Sequence, residues 1–248
     1  MTALQPTHGS IADVIVNGIV VSQYFSDFTL SSTRDKAEVS AFKNTFKAYV
    51  AGLNDGVATF SGWHDPNIDA VLYAFMVQLT QKDNDWLWAP EGAEGSSAQG
   101  NQAFSIPGKS TKYEVKSAIN AANSISAEVQ MSQTGGGLDH GYILSPWATQ
   151  SAGGSSASYD NIGGSTTNGG VLIVHAFSDA ASLDIQLQDS ADNSTFANVT
   201  GYTVSPTNSV AGEYRYPAVG TVPSGTIRQY TRITWTGTGT FLAMFSRK

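Results

Sequence analysis

Residues 66–81 are the segment of this 248-residue chain most plainly written with a helical period, and what such a helix needs dictates what surrounds it. Asp65 is a good N-cap, because its carboxylate can accept from backbone N–H groups that lack a helical partner. Pro66 suits the first helical position, where a missing N–H costs nothing, and Asp69 places negative charge at the positive end of the helix dipole. Ile68, Val71, Leu72, Phe75, Met76 and Leu79 then recur at three- and four-residue spacing and make one apolar stripe. Burying each of these side chains is worth at most ~1.5–3 kcal/mol. A helix of this length is marginal alone, so the stripe must lie on a sheet.

The remainder supplies strands. Asp13–Val21 reads as two short strands around Asn17-Gly18, a strong hairpin signal. Gln23–Ser32 reads as a strand. Arg34–Val50 reads as a strand that breaks into a short helix near Phe42. Gly52-Leu53-Asn54-Asp55-Gly56 reads as a tight turn leading into a strand from Val57 to Trp63. Beyond the helix, Lys82–Trp88 begins a second sheet segment or a long loop, and 91–102 is a loop by composition. Phe104–Pro107 and Tyr113–Val115 read as short strands around a Gly108-Lys109 turn. Ser124–Gln133 alternates Ile125, Ala127, Val129 and Met131 with polar residues, as a half-buried strand should. The Gly/Ser/Thr-rich run 151–170 is a linker or a packed loop and marks a boundary. After it, Val171–Phe177 is apolar on both faces, Leu183–Gln188 alternates, and Ile227–Trp235 and Thr240–Phe245 complete a β-rich region. The expected organisation is a domain over 1–150 with a flexible arm at 1–10, then the linker, then a sandwich over 171–248.

The formal charge is −7, with 13 Lys+Arg against 20 Asp+Glu, and the residues up to Gln150 carry −6 of it. Such a surface does not seek nucleic-acid phosphates. Charged residues make up only 13% of the chain, which suits an all-β protein whose wet strand faces are polar but uncharged. With no cysteine, disulfides, thiolate metal sites and a cysteine nucleophile are excluded. The first residues show neither a basic n-region nor an apolar core, so the expectation is a product made in a cytoplasm without a secretory leader.

Motifs for chemistry are sparse, and neither a cofactor nor an enzymatic activity is expected. His8, His64, His140 and His175 fall in no zinc-binding spacing, and His175, inside an apolar strand, is more often a hydrogen-bonded core residue than a ligand. No nucleophile elbow, phosphate loop or dinucleotide glycine pattern occurs. Asp189–Ser194 offers oxygen ligands, but the calcium-loop spacing and its closing Glu are missing, and a hairpin turn accounts for the residues better. Trp86, Trp88, Trp147, Trp235, Tyr214 and Tyr216 could form a sugar-stacking platform, although aromatics in strands more often belong to core or interface.

Two blocks carry a resemblance. Residues 37–65 resemble the signature of the major tail (tail tube) proteins of long-tailed bacteriophages (siphoviruses): a strand, a short amphipathic turn ending in an aromatic, an x-G-L-x-D-G element, and an alternating strand closed by S-G-x-x-D. The matching positions are Phe42, Tyr49, Gly52, Leu53, Asp55, Gly56, Ser61, Gly62 and Asp65. Residues 183–199 and 228–247 resemble a β-sandwich found at the end of tail proteins of actinobacterial phages, with a departure at Gln229 and Thr231 around Tyr230. The resemblance implies a mainly β fold: a tail-tube-type sandwich or barrel with one packed α-helix at about 66–81, plus a C-terminal antiparallel β-sandwich. It implies a structural virion protein that forms stacked rings, usually hexameric, around a channel for double-stranded DNA. Its partners would be copies of itself and other tail proteins (tape measure, tail terminator, distal tail), and its place the virion tail. A channel for sliding DNA calls for an acidic or neutral lining. Glu38, Asp55 and Glu128, in or beside predicted strands, are the candidate lining acids. The alternative reading is a carbohydrate-binding β-sandwich module of an adhesin or a virion decoration protein.

Overall fold

The computed structural model describes residues 11–40, 46–47, 49–65, 83–131, 137–177, 183–206, 211–219 and 221–248. Among them the fold is mainly β, as expected, with sixteen strands. The first eight are β1 (Asp13–Val16), β2 (Ile19–Val20), β3 (Phe25–Glu38), β4 (Tyr49–Trp63), β5 (Asn84–Ala89), β6 (Gln102–Lys116), β7 (Ser124–Met131) and β8 (Asp139–Gln150). The rest are β9 (Gly154–Ser155), β10 (Tyr159–Asp160), β11 (Gly170–Ala176), β12 (Asp184–Ser190), β13 (Ala197–Val204), β14 (Gly212–Tyr216), β15 (Tyr230–Thr236) and β16 (Gly239–Arg247). The predicted helix at 66–81 and the arm at 1–10 lie outside the described residues, as does most of the predicted short helix near Phe42. Two compact units divide the chain. The first gathers the residues up to Gln23 with Asn84–Ser105 and Asp139–Lys248; the second gathers Tyr24–Asp83 and Ile106–Leu138.

In the first unit a long antiparallel sheet contains the neighbours β14-β11-β16-β8, and a second sheet runs β10-β15-β12-β13. Their facing sides form one core. Leu172, Val174, Phe241, Ala243 and Phe245 meet Ile185, Leu187, Tyr202, Val204 and Ile233. This is the expected sandwich, and it draws Leu144 of β8 into the same core. The opposite side of the long sheet is also buried, with Val171, Ile173, Leu242 and Met244 packed among Ile15, Leu87, Ala89 and Ile143. That double burial explains why β11 is apolar at nearly every position. The Asn17-Gly18 hairpin forms as expected, with φ of 48° and 71° at its two turn residues. The long sheet curls back on itself, so this turn reaches β11: the Gly18 N–H donates to His175 Nδ1 at 3.3 Å.

The run 151–170 is no free linker and does not separate units. It supplies β9 and β10, both paired with β15. Asn161 is buried and donates from Nδ2 to Gln229 O at 2.8 Å and Thr231 Oγ1 at 2.9 Å. Its glycines and serines therefore serve short edge strands and turns. The Asp189–Ser194 segment is the expected β12–β13 turn. Asp192 Oδ1 accepts from the Ser194 and Thr195 N–H groups at 3.0 and 2.8 Å, which holds its carboxyl well below the usual range.

The second unit is a four-strand run in the order β3-β4-β7-β6. Here the sequence misleads twice. The expected turn at Gly52–Gly56 is the interior of one continuous strand, β4. Arg34 pairs with Asn54 and Lys36 with Ala51, so β4 spends one extra residue at Gly52-Leu53, a β-bulge in place of a turn. Likewise β6 runs unbroken through Gly108-Lys109. Gly108 is there because β7 comes too close for a side chain: a Cβ would stand 2.6 Å from Val129 Cγ1 and 2.7 Å from Gln130 O. Strand β7 alternates half-buried and buried positions over its whole length, as its sequence predicts.

Candidate assembly surface

Residues paired across strands share a face of a sheet. In the second unit, Ala58, Phe60 and Gly62 of β4 pair with Val129, Ala127 and Ile125 of β7 and are buried. Gly62 is required on this side, since a Cβ there would lie 1.9 Å from the Tyr24 carbonyl oxygen. Val57, Thr59 and Ser61 pair with Gln130, Glu128 and Ser126 on the other, wet face. The same registers bring Asp27, Thr29, Ser31 and Thr33 of β3, and Lys109, Lys112, Glu114 and Lys116 of β6, onto that wet face.

The candidate acids divide over the two faces. Asp55 and Glu128 stand together on the wet face, where the Gln130 side chain donates to Asp55 and Thr111 Oγ1 donates to Glu128 at 3.0 Å. Glu38 does not join them. Alternation along β3 from Thr33 puts Arg34, Lys36 and Glu38 on the opposite face, and Glu38 there accepts Lys47 Nζ at 3.1 Å. Among the motif residues of the sequence block, Gly52 and Leu53 sit at the bulge, and Gly56 and Gly62 lie on the buried face of β4. Asp65 follows the end of β4; the helix it was expected to cap lies outside the described residues.

The wet face carries five carboxylates (Asp27, Asp35 by alternation, Asp55, Glu114, Glu128) and three ammonium groups (Lys109, Lys112, Lys116). Lys112 and Lys116 both reach Glu114, at 3.1 and 3.3 Å, and their hydrogen bonds hold its carboxyl below the usual range. A depression of about 190 Å³ lies between Asp27, Ser61, Lys112 and Glu128. The face is therefore polar, mostly Ser, Thr and compensated charge, with a residual negative balance.

Two features of the unit stand out among the described residues. Strand β3 pairs only with β4 among the described strands, so one edge of its fourteen residues has no described strand beside it. At ~3.3 Å per residue that edge is roughly 45 Å long. Further, β7 pairs with β4 only from Val57 onward, so beyond Gly56 the strands β3 and β4 continue as a two-stranded ribbon in which Thr33–Glu38, Tyr49, Val50, Asn54 and Asp55 are exposed. Around this ribbon Val39, Phe46, Tyr49 and Val50 are 50% or more exposed. An isolated two-stranded ribbon is marginal in water, and exposed apolar residues on it mark an interaction site.

The aromatic candidates for a sugar platform do not form one. Trp86 is buried, Trp147 stacks on Phe177 at 4.9 Å, and Trp235 packs on Phe241 at 5.6 Å. Trp88 lies against Phe104 at 5.5 Å, while Tyr214 and Tyr216 pack on the sandwich core. Their ring faces are spent on one another.

A polar constellation that the sequence reading missed lies inside the first unit. Arg215 Nη1 donates to Asp85 Oδ1 at 2.6 Å and its Nη2 to Asp139, whose other oxygen meets Lys248 Nζ at 2.5 Å. Burial alone would lower the Arg215 pKa; the two carboxylates outweigh it and raise it. The partners of Arg215 are 130 and 76 residues away, so no local pattern announces them. His175 is the core residue expected. Burial pushes its pKa down to about 3, which leaves a neutral ring with Nδ1 as acceptor.

No protein-family model and no curated protein matches the chain. Solved structures that align with the chain include the virion of a native gene transfer agent particle, at 10% identity and a TM-score of 0.38, covering 51% of this chain and 95% of that one. The cap terminating the tube of the anti-feeding prophage aligns at 12% identity and 0.44, over 57% and 95% of the two chains. The Dit protein of phage SPP1, a hub of the adsorption apparatus, aligns at 11% identity and 0.35, over 96% and 99%.

Proposed function

We propose that this protein is a structural, non-catalytic subunit of a phage tail that polymerises into stacked six-membered rings to form a tail tube for DNA passage. The observation that carries the reading is in the second unit: a fourteen-residue strand, β3, with one edge that no described strand pairs, continued by a ribbon that exposes Val39, Phe46, Tyr49 and Val50. Exposed edges of this length are normally blunted in proteins that stay single. On this reading the β3 edge of one copy meets a different surface of the next, a heterologous contact that closes into a ring. The polar wet face, with Asp55 and Glu128, then lines the channel. Its lysines are compensated by carboxylates, so it releases few counterions to a duplex and lets it slide. Other tail proteins, including the tape measure, tail terminator and distal tail proteins, meet the ends of the stack in the virion.

Negative-stain microscopy of the purified chain across a concentration series tests this. Rings or tubes are expected, and Tyr49→Ser/Val50→Ser should abolish them while leaving the circular dichroism spectrum unchanged. A chain that stays monomeric at every concentration overturns the proposal.

A further inference from the structure

In the first unit a cavity of about 210 Å³ gathers residues from the start of β8, from β10 and the turn after it, and from the end of β16. None of the aromatics considered above for a sugar platform lines it. Tyr142 of β8 and Tyr159 of β10 stack there at 4.2 Å, and the His140 ring lies 5.9 Å from Tyr142. Burial pushes the Tyr159 hydroxyl pKa up, and its hydrogen bond with Tyr142 pushes it further, so the group stays neutral. Ile162 joins the lining with 91% of its surface exposed. Arg247 supplies the charge. Its Nη1 donates to the backbone oxygens of Asn161, at 3.4 Å, and Gly164. Asn161 is itself buried and tied by its side chain to Gln229 and Thr231, so the guanidinium has a fixed seat. No carboxylate among the described residues pairs with Arg247, whereas Arg215 and Arg228 of the same unit both have one. The neighbouring charges are already partnered: Lys248 meets Asp139, and Asp160 accepts from Gln229 Nε2 at 2.9 Å.

We infer that this cavity binds an acidic monosaccharide unit, a sugar that carries a carboxylate or a phosphate. The inference is independent of the proposed ring. A seated guanidinium without a counter-charge, in a chain of net charge −7, is matched by an oxyanion that can take two parallel hydrogen bonds from its fork. A bare inorganic ion would use little else of the lining. The remaining groups suit a sugar ring: the tyrosine hydroxyls face hydroxyl partners, and the His140 ring and Ile162 give apolar contact to its C–H groups. The volume is below that of a drug-sized site and holds one such ring, not an oligosaccharide. The group bound is therefore a free monosaccharide or the terminal unit of a longer glycan.

Ligand-observed NMR on the full chain, with glucuronate, glucose 6-phosphate, glucose and inorganic phosphate as probes, tests this. The two acidic sugars should bind roughly tenfold or more tightly than glucose, and tighter than inorganic phosphate. Arg247→Gln should weaken glucuronate binding by about tenfold or more, because a charged hydrogen-bonded pair is lost. Arg247 also ties down the turn through Asn161 and Gly164, so a second variant leaves that contact alone. Ile162→Asp changes an exposed side chain, keeps the fold, and sets a like charge beside the oxyanion. It should weaken glucuronate binding comparably, while Ile162→Lys retains it. Tyr142→Phe and Tyr159→Phe keep the stacked rings and should each cost roughly three- to tenfold. Failure of both acidic sugars to bind, or equally tight binding of glucose, overturns the inference. Undiminished glucuronate binding by Ile162→Asp, or inorganic phosphate binding as tightly as the sugars, overturns it as well. Each of these outcomes leaves the ring proposal standing, since that is read from assembly and not from sugar binding.

Discussion

Strands β11 and β3 show the two ways this chain finishes a sheet. Strand β11 is buried at all seven positions and paired on both edges, by β14 and β16. Strand β3 is twice as long, exposes most of its positions, and pairs on one edge only among the described strands. The first unit buries its largest apolar clusters between its own strands. The second, on the proposed reading, leaves an edge and a ribbon for another copy. Stability should therefore reside in one unit and association in the other, and mutations should separate them.

The largest effect should come from the buried sandwich. Phe241 lies in its core with no exposed surface, and Phe241→Ala should cost about 3–5 kcal/mol in urea unfolding of the first unit. Removing one member of the buried ion network should cost about as much, because Arg215→Met strands Asp85 and leaves Asp139 to Lys248 alone. A near-neutral Arg215→Met would mean that the network is not sealed from water.

A smaller effect follows from His175. Its pKa is about 3 in the folded chain, far below its ordinary value of 6.5. Above pH 6.5 both folded and unfolded forms are neutral and the residue adds no pH dependence. As pH falls from 6.5 towards 3 the unfolded chain takes up a proton that the folded one refuses, so stability is lost at up to ~1.4 kcal/mol per pH unit. Urea unfolding between pH 7 and 4.5 should show this slope, and His175→Asn should flatten it. The smallest effect on stability should be at the ribbon. Tyr49→Ser is expected to move unfolding by no more than about 0.5 kcal/mol while removing assembly. A large loss of stability there would show that the ribbon is completed within its own molecule.

Much of the architecture was legible where one rule of local chemistry acted alone. The Asn17-Gly18 turn needs left-handed backbone that these two residues accept. The alternation of Ser124–Met131 reports one wet and one dry face. Reading failed where glycine had a second use. Gly52 and Gly108 look like turns, yet they sit inside strands, one at a bulge and one beneath a close neighbour. The run 151–170 read as a linker or a packed loop, and its short strands went unseen because so few residues have no periodicity to display. Of the candidate lining acids, Asp55 and Glu128 share a face because their strands register that way, and Glu38 departs because it lies an odd number of residues along β3. Which charges share the wet face was invisible beforehand, since β3, β4, β7 and β6 come together only through registers between segments far apart in the chain. The Arg215 network was hidden for the same reason.

Hydrogen exchange along β3 in dilute and concentrated protein tests the central claim most directly. The amides of Phe25–Glu38 that do not bond to β4 should exchange freely in the monomer and become strongly protected once particles form. Particles that form while those amides go on exchanging at the monomer rate would contradict the account, because the subunits would then be joined by some surface other than the open edge of β3.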